Sequence, residues 1–155
     1  MVEQVIEKKN NKKQAYVSTV GRRRESVARV RLYLETKDNP TVAGEKIKKG
    51  DVFVNDKKFE DYFKGNVPLV EFQEPLKITN TLDKYAITIK VDGGGQKGQI
   101  GAIIHALSRA LSEIDLKNRQ ILKKKGFLTR DPRTRQRRNV GMGGKSRRKK
   151  QSPKR

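Results

Sequence analysis

The sequence predicts an α+β body followed by a basic tail, on three observations. Alternating β-branched runs supply four strands, and an apolar repeat at three- and four-residue spacing supplies one long helix with a face for the sheet. The last quarter of the chain is almost purely cationic. With 155 residues there is room for about one domain, on the usual scale of roughly 100–200 residues each.

The runs AYVSTV (15–20) and SVARVRLYL (26–34) read as two strands. Alternation in the second places Val30, Leu32 and Leu34 on one face and Arg29, Arg31 and Tyr33 on the other. The GRRRE connection between them is short enough for a hairpin, with Gly21 available for a positive φ at the turn. Residues 35–50 are rich in charge and turn formers and read as a long exposed loop. DVFVN (51–55) and KYAITIKVD (84–92) supply two further strands, and KKFEDYF (57–63) a short amphipathic helical turn ending at Gly65. EPLKIT (74–79) follows after another short helical or extended piece.

Over residues 99–114, Ile100, Ile103, Ile104, Leu107, Leu111 and Ile114 form one helix face, and Gly101, Ala102, Ala106 and Ala110 are small enough for close approach to a sheet. His105 falls opposite the isoleucines, beside Gly101, Ser108, Arg109 and Ser112. A second helix, 116–125, ends at Gly126 in a C-cap position after a lysine triplet suited to the negative helix end.

The charge is unevenly placed. Lysine and arginine number 38 against 17 acidic residues, for a net charge of +21. Residues 1–116 hold 21 basic and 16 acidic groups, whereas residues 117–155 hold 17 basic groups and one acid, Asp131. So one-sided an end repels itself and calls for a polyanion, with nucleic acid ahead of an acidic membrane surface. The tail has too few apolar groups to fold alone. The expected division is a polar extension over 1–13, a globular RNA-binding body over 14–125 and an extended tail over 126–155.

Several function classes are disfavoured. With no cysteine, disulfide scaffolds and thiolate metal sites drop out, and His105 lacks neighbours at ligand spacing, so no metal or cofactor is expected. No apolar run has signal-peptide length or the roughly 18 residues of a membrane span, which predicts a soluble, cytoplasmic protein without membrane contact. Gly93 and Gly98 are spaced as in a Walker loop, but Gln99 and Ile100 stand where lysine and a hydroxyl belong. No triad or carboxylate pair is evident, so the expected protein is not an enzyme.

The binding candidates follow from the same patterns. Strand, GGGQKG, helix is the layout in which backbone N–H groups cradle phosphate, implicating Gly93, Gly94, Gly95 and Lys97, with a plain tight turn as the alternative. Arg22, Arg23 and Arg24 on a turn, with Arg29 and Arg31 on one strand face, form a basic platform suited to phosphate oxygens. His105 and Arg109, one helical turn apart, suit an RNA phosphate or 2′-hydroxyl. Tyr16 and Tyr33 offer stacking surface or ordinary sheet packing.

Three motifs, VSTVGRRRESVARVRL, VDGGGQKGQIGAIIHALSRAL and GFLTRDPRTRQRRNVG with a terminal Lys-Arg, resemble the bacterial small-subunit ribosomal protein nine family in order and spacing, over residues 16–155. The resemblance implies an α+β fold like the second domain of ribosomal protein five: a mixed four-stranded sheet with helices on one face, then an extended basic tail. It implies a place in the small-subunit head, on 16S ribosomal RNA and beside other head proteins, as a single copy. Arg130, Arg133, Arg135, Arg137, Arg138, Lys145, Arg147, Arg148, Lys149 and Lys150 would lie along the rRNA path, with Lys154 and Arg155 at the peptidyl-site tRNA. The sequence departs from the family pattern at Ser152 and Pro153, in a longer loop over 36–48, in the extension 1–13 and in GMGGKS (141–146). A nucleoid-type DNA architectural protein is the competing reading.

Overall fold

The computed structural model describes residues 16–34, 41–42 and 44–137. β1 (Tyr16–Arg23) and β2 (Ser26–Tyr33) form an antiparallel hairpin. The short strands β3 (Thr41–Val42) and β4 (Glu45–Lys46) pair with each other. There follow β5 (Val52–Val54), β6 (Lys57–Lys58), α1 (Phe59–Tyr62), α2 (Asn66–Ile78), β7 (Ala86–Asp92), α3 (Gln96–Ile114) and α4 (Leu116–Lys124).

The main sheet runs β1-β2-β7-β5-β6, with β5 and β7 parallel and the other pairs antiparallel. It is mixed, with five strands where four are expected; the extra one is the two-residue β6, too short and charged to show in an apolar pattern. A parallel pair needs a crossover, and α1 and α2 supply it between β5 and β7. All four helices bury side chains on one side of the sheet: Phe59, Phe72, Leu107 and Leu122 share a core with Val30, Leu32 and Ile89.

Gly21 belongs to β1, without a positive φ, and the turn falls instead on Arg24 and Glu25, where Arg24 takes φ 53°. Glycine is needed at 21 for space: a Cβ there would collide with the carbonyl oxygen of Ala102 and the backbone nitrogen of Ala106. Ala102, Ala106 and Ala110 are fully buried at this contact, and Thr19 Oγ1 donates to the Ala106 carbonyl at 2.7 Å. The small residues of α3 thus bring helix and strand backbones together.

Tyr33 is buried although it lies opposite Val30 and Leu32, whereas Leu34, past the end of β2, is 38% exposed. The second face of the sheet has a small core of its own, in which Tyr33, Phe53, Ala86 and Ile47 pack with Tyr16 and Val42. Ile47 comes from the stretch expected to be an exposed loop; β3, β4 and Ile47 form a flap over one end of that face. Residues 35–40 and 43 of that stretch lie outside the described residues.

EPLKIT is the end of the 13-residue α2, which continues through Pro75. The long helix begins at Gln96, three residues before its apolar repeat, because its glycine-rich first turn has no apolar pattern. Its polar side is not open: Ser108 and Ser112 are buried, each hydroxyl donating within the helix, to the Ile104 and Arg109 carbonyls respectively. α4 and the first residues beyond it share this core, with Leu122 fully buried and Phe127 and Leu128 packed against it. Gly126, at φ 81°, ends α4 with paired 5→2 and 6→1 bonds, Gly126 N–H to Lys123 and Phe127 N–H to Leu122.

Two glycine substitutions separate crowding from backbone strain. Gly21→Ala is expected to destabilise the fold by about 2–3 kcal/mol, as overpacking does. Gly126→Ala, with open space around it, should cost only about 1 kcal/mol from its left-handed φ. Urea unfolding followed by circular dichroism measures both; equal losses would refute the crowding account of Gly21.

Candidate nucleic-acid interface

The β1–β2 hairpin distributes its arginines instead of presenting them as one platform. Strand alternation sends Arg22 to the face away from the helices and Arg23 to the helix side, and Arg24 sits on the turn. Arg23 lies beside Gly101 of α3, whose missing Cβ leaves room for the guanidinium. Arg29 and Arg31 do share a face, in register with Lys90 and Thr88 of β7. These four side chains line a groove of about 180 Å³ under the β3–β4 flap, and Arg31 sits 5.2 Å from the Tyr16 ring centroid, a cation–π contact. Tyr16 and Tyr33 pack on each other at 5.5 Å, so their role in the described structure is sheet packing.

A second basic cleft, of about 280 Å³, opens at the β1 edge between Val20, Arg22, His105, Arg109 and Arg130. Arg109 Nη1 donates to the Val20 carbonyl at 2.7 Å, which satisfies an edge-strand acceptor and fixes the guanidinium in the cleft. His105 is half-buried and its Nδ1 is buried without a partner. Burial chiefly lowers its pKa; the Leu128 backbone works in the opposite direction, and Arg109 and Arg130 add to the lowering.

The third cleft, of about 590 Å³, lies at the start of α3, lined by Gly94, Gly95, Gln96, Lys97 and Gly98 with Arg24, Glu25, Ser26 and Arg135. Gly93 and Gly94 take φ values of 72° and 62°, and a side chain on either would strike Glu25 or Ser26, so two glycines are required here twice over. The Gly93 N–H is taken by Asp92 Oδ1 at 2.8 Å, and Gly98 and Gln99 both turn to the Gly95 carbonyl. By helix geometry, the N–H groups of Gln96 and Lys97 are left facing outward at the positive end of a 19-residue helix. Of the expected cradle, then, Gly94, Gly95 and Lys97 remain as donors' positions, and Gly93 serves the turn.

Residues without a sequence signal hold this loop. The Asn55 side chain pairs with both backbone groups of Val91 at 2.9 Å, standing in for a strand neighbour beyond the end of β5. Asn55 Nδ2 approaches Tyr62 Oη at 3.4 Å, Tyr62 Oη donates to Gln99 Oε1 at 3.3 Å, and Gln99 Nε2 donates to the Gly93 carbonyl at 3.1 Å. Periodicity cannot reveal such a chain, because its members are scattered between residues 55 and 99.

Asp131 joins the clefts. Its carboxylate takes two donors of the Arg133 guanidinium at 2.9 and 2.8 Å and lies 4.0 Å from Arg23. The Arg133 hydrogen bonds hold its pKa well below the usual carboxylate range. The start of the tail thus lies against the hairpin, with Asp131 near Arg23, Arg130 in the edge cleft and Arg135 in the glycine-loop cleft. Arg137 is exposed beyond it, while Arg138, Lys145, Arg147, Arg148, Lys149, Lys150, Lys154 and Arg155 lie outside the described residues. Among the described residues there is no metal-ligating cluster, and no helix is long and apolar enough to cross a membrane.

Asp131→Asn is expected to weaken binding to an RNA oligomer by about two- to fivefold at 100 mM salt, although it removes a negative charge, because it frees two guanidinium groups whose positions the carboxylate fixes. Filter binding measures it; tighter binding would mean that Asp131 acts only as an opposing charge.

Residues 21–155 match the family model described as Ribosomal protein S9/S16. The small ribosomal subunit protein uS9 of Maridesulfovibrio salexigens is 44% identical over 124 residues, which cover 80% of this chain and 85% of that protein. A match that begins inside the first motif and runs through the other two, with a relative 44% identical over 80% of the chain, places the chain in the ribosomal protein S9/S16 family.

Proposed function

We propose that this protein is a non-catalytic structural constituent of the small ribosomal subunit that binds 16S rRNA in the head. The reading rests chiefly on one observation: the β1–β2 hairpin, α3 and the root of the tail converge to line two basic clefts, with Asp131 bonded to Arg133 and 4.0 Å from Arg23. Phosphate oxygens are the natural occupants of clefts lined by guanidinium groups and open helix N–H groups. On this reading Arg22, Arg24, Lys97, Arg109, Arg130 and Arg135 hold the RNA backbone, Arg29 and Arg31 offer a separate basic groove, and Arg23 positions the tail.

The body, 14–125, anchors the protein, and the tail, 126–155, continues along rRNA through Arg133, Arg137, Arg138, Lys145 and the run Arg147, Arg148, Lys149 and Lys150. Lys154 and Arg155 meet the peptidyl-site tRNA, and neighbouring head proteins cover part of the remaining surface. The tail of 30 residues spans up to roughly 100 Å when extended at about 3.3–3.6 Å per residue, enough for that reach. A DNA-architectural role fits less well. α3 buries residues around most of its circumference, from Ile100 to Ser112, and so has no free face to enter a groove.

Two experiments test this reading. Replacing Arg22 and Arg24 together with alanine should leave the melting temperature within about 2 °C and reduce the salt slope of 16S-fragment binding by about 0.7–0.9 for each phosphate no longer neutralised; an unchanged slope would remove these residues from the interface. Deleting Lys154 and Arg155 should leave sucrose-gradient co-migration with the small subunit intact while weakening peptidyl-site tRNA binding severalfold. Unaltered tRNA affinity would refute the terminal contact.

A further inference from the structure

We propose that the cleft at the β1 edge is a subsite for a single backbone phosphate, and that His105 takes up a proton as that phosphate enters. The inference deepens the rRNA reading and rests on it. Three elements build the site: β1 contributes Arg22, α3 contributes His105 and Arg109, and the start of the tail contributes Arg130. No carboxylate lines it, and the nearest acid in sequence, Asp131, is committed to Arg133 and Arg23.

Gathering three guanidinium groups around one opening is unfavourable until an anion enters. Arg109 is held in place through Val20 before any ligand arrives. The Nδ1 atom of His105 is the second observation: it is buried and has no partner, an arrangement that costs stability until a partner is supplied. A phosphate drawn in by the arginines offsets the positive charge that opposes protonation of the ring beside it.

The sign of the coupling follows from the charges. In the free protein, burial, Arg109 and Arg130 outweigh the Leu128 backbone and lower the imidazole pKa, so acidification below its ordinary range favours the unfolded chain. An entering phosphate offsets both arginines, which raises that pKa. Binding therefore tightens as pH falls through the histidine range, by up to tenfold for each unit of pKa rise.

His105 is the only histidine in the chain, so every imidazole NMR signal of the untagged full-length protein is its own. Its titration is followed from pH 5 to 8 in chloride, in inorganic phosphate at equal ionic strength, and with a short 16S-derived RNA. The expected result is a pKa below the ordinary histidine value in chloride and a rise of about one unit with phosphate or RNA. Arg130→Gln should raise the chloride value and shrink the rise. Calorimetry in two buffers of different ionisation enthalpy should show proton uptake on RNA binding near pH 6.5, abolished in His105→Gln. RNA binding with an unchanged imidazole titration would overturn the subsite and leave the rRNA reading standing. A phosphate response without RNA binding would support the subsite and overturn the rRNA reading, and an unchanged titration together with no RNA binding would sink both.

Discussion

Close approach of α3 to β1 is the constraint on which the other features depend. Gly21 has no side chain to hold the helix off, and Ala102 and Ala106 answer it from the helix, so two backbones meet where side chains would ordinarily interdigitate. That contact fixes the height and direction of α3 over the sheet. Its N-terminus consequently arrives at the hairpin turn, where Gly94 and Gly98 close over Ser26, and its flank overhangs the β1 edge, where Arg109 reaches the Val20 carbonyl. Both basic clefts beside the hairpin are products of one packing contact.

The second organising feature is electrostatic. A chain of net charge +21 repels itself, and the described structure nonetheless gathers six of its cations into two clefts. It sets Arg22, Arg109 and Arg130 around one opening and Arg24, Lys97 and Arg135 around another. Asp131 neutralises part of this charge: its carboxylate holds the Arg133 guanidinium in a fork and approaches Arg23 of the hairpin at 4.0 Å. Phe127 and Leu128 complete the anchor with apolar contact to the core. The basic segment therefore starts as part of the fold and in contact with it.

Most of the body was legible in the chain. The four longer strands, the apolar stripe of α3 and the Gly126 stop all follow from short-range rules that tertiary contacts reinforced. What was misread or left open has one origin. Gly21 read as a turn glycine because φ freedom is the commonest local use of glycine, whereas here its use is lack of bulk against a helix some 80 residues away in sequence. For Tyr33 the sequence left stacking surface and sheet packing both open, because alternation tells which face a residue is on, not whether that face is covered, and the structure has the packing. Ser108 and Ser112 can be buried because their hydroxyls bond within their own helix, so covering them leaves no unsatisfied group.

The sequence alone determined the α+β class, the segregation of charge, the candidate cations and, through motifs in register, the family, because each is carried by residue type at short spacing. Tertiary structure alone decided which cations act together. The Arg22–Arg23–Arg24 run separates onto two faces and a turn, while Arg22, Arg109 and Arg130, drawn from a strand, a helix and the tail, converge on His105. Such groupings depend on long-range backbone approach and on which carboxylate reaches which guanidinium, and neither leaves a periodic trace in a linear chain.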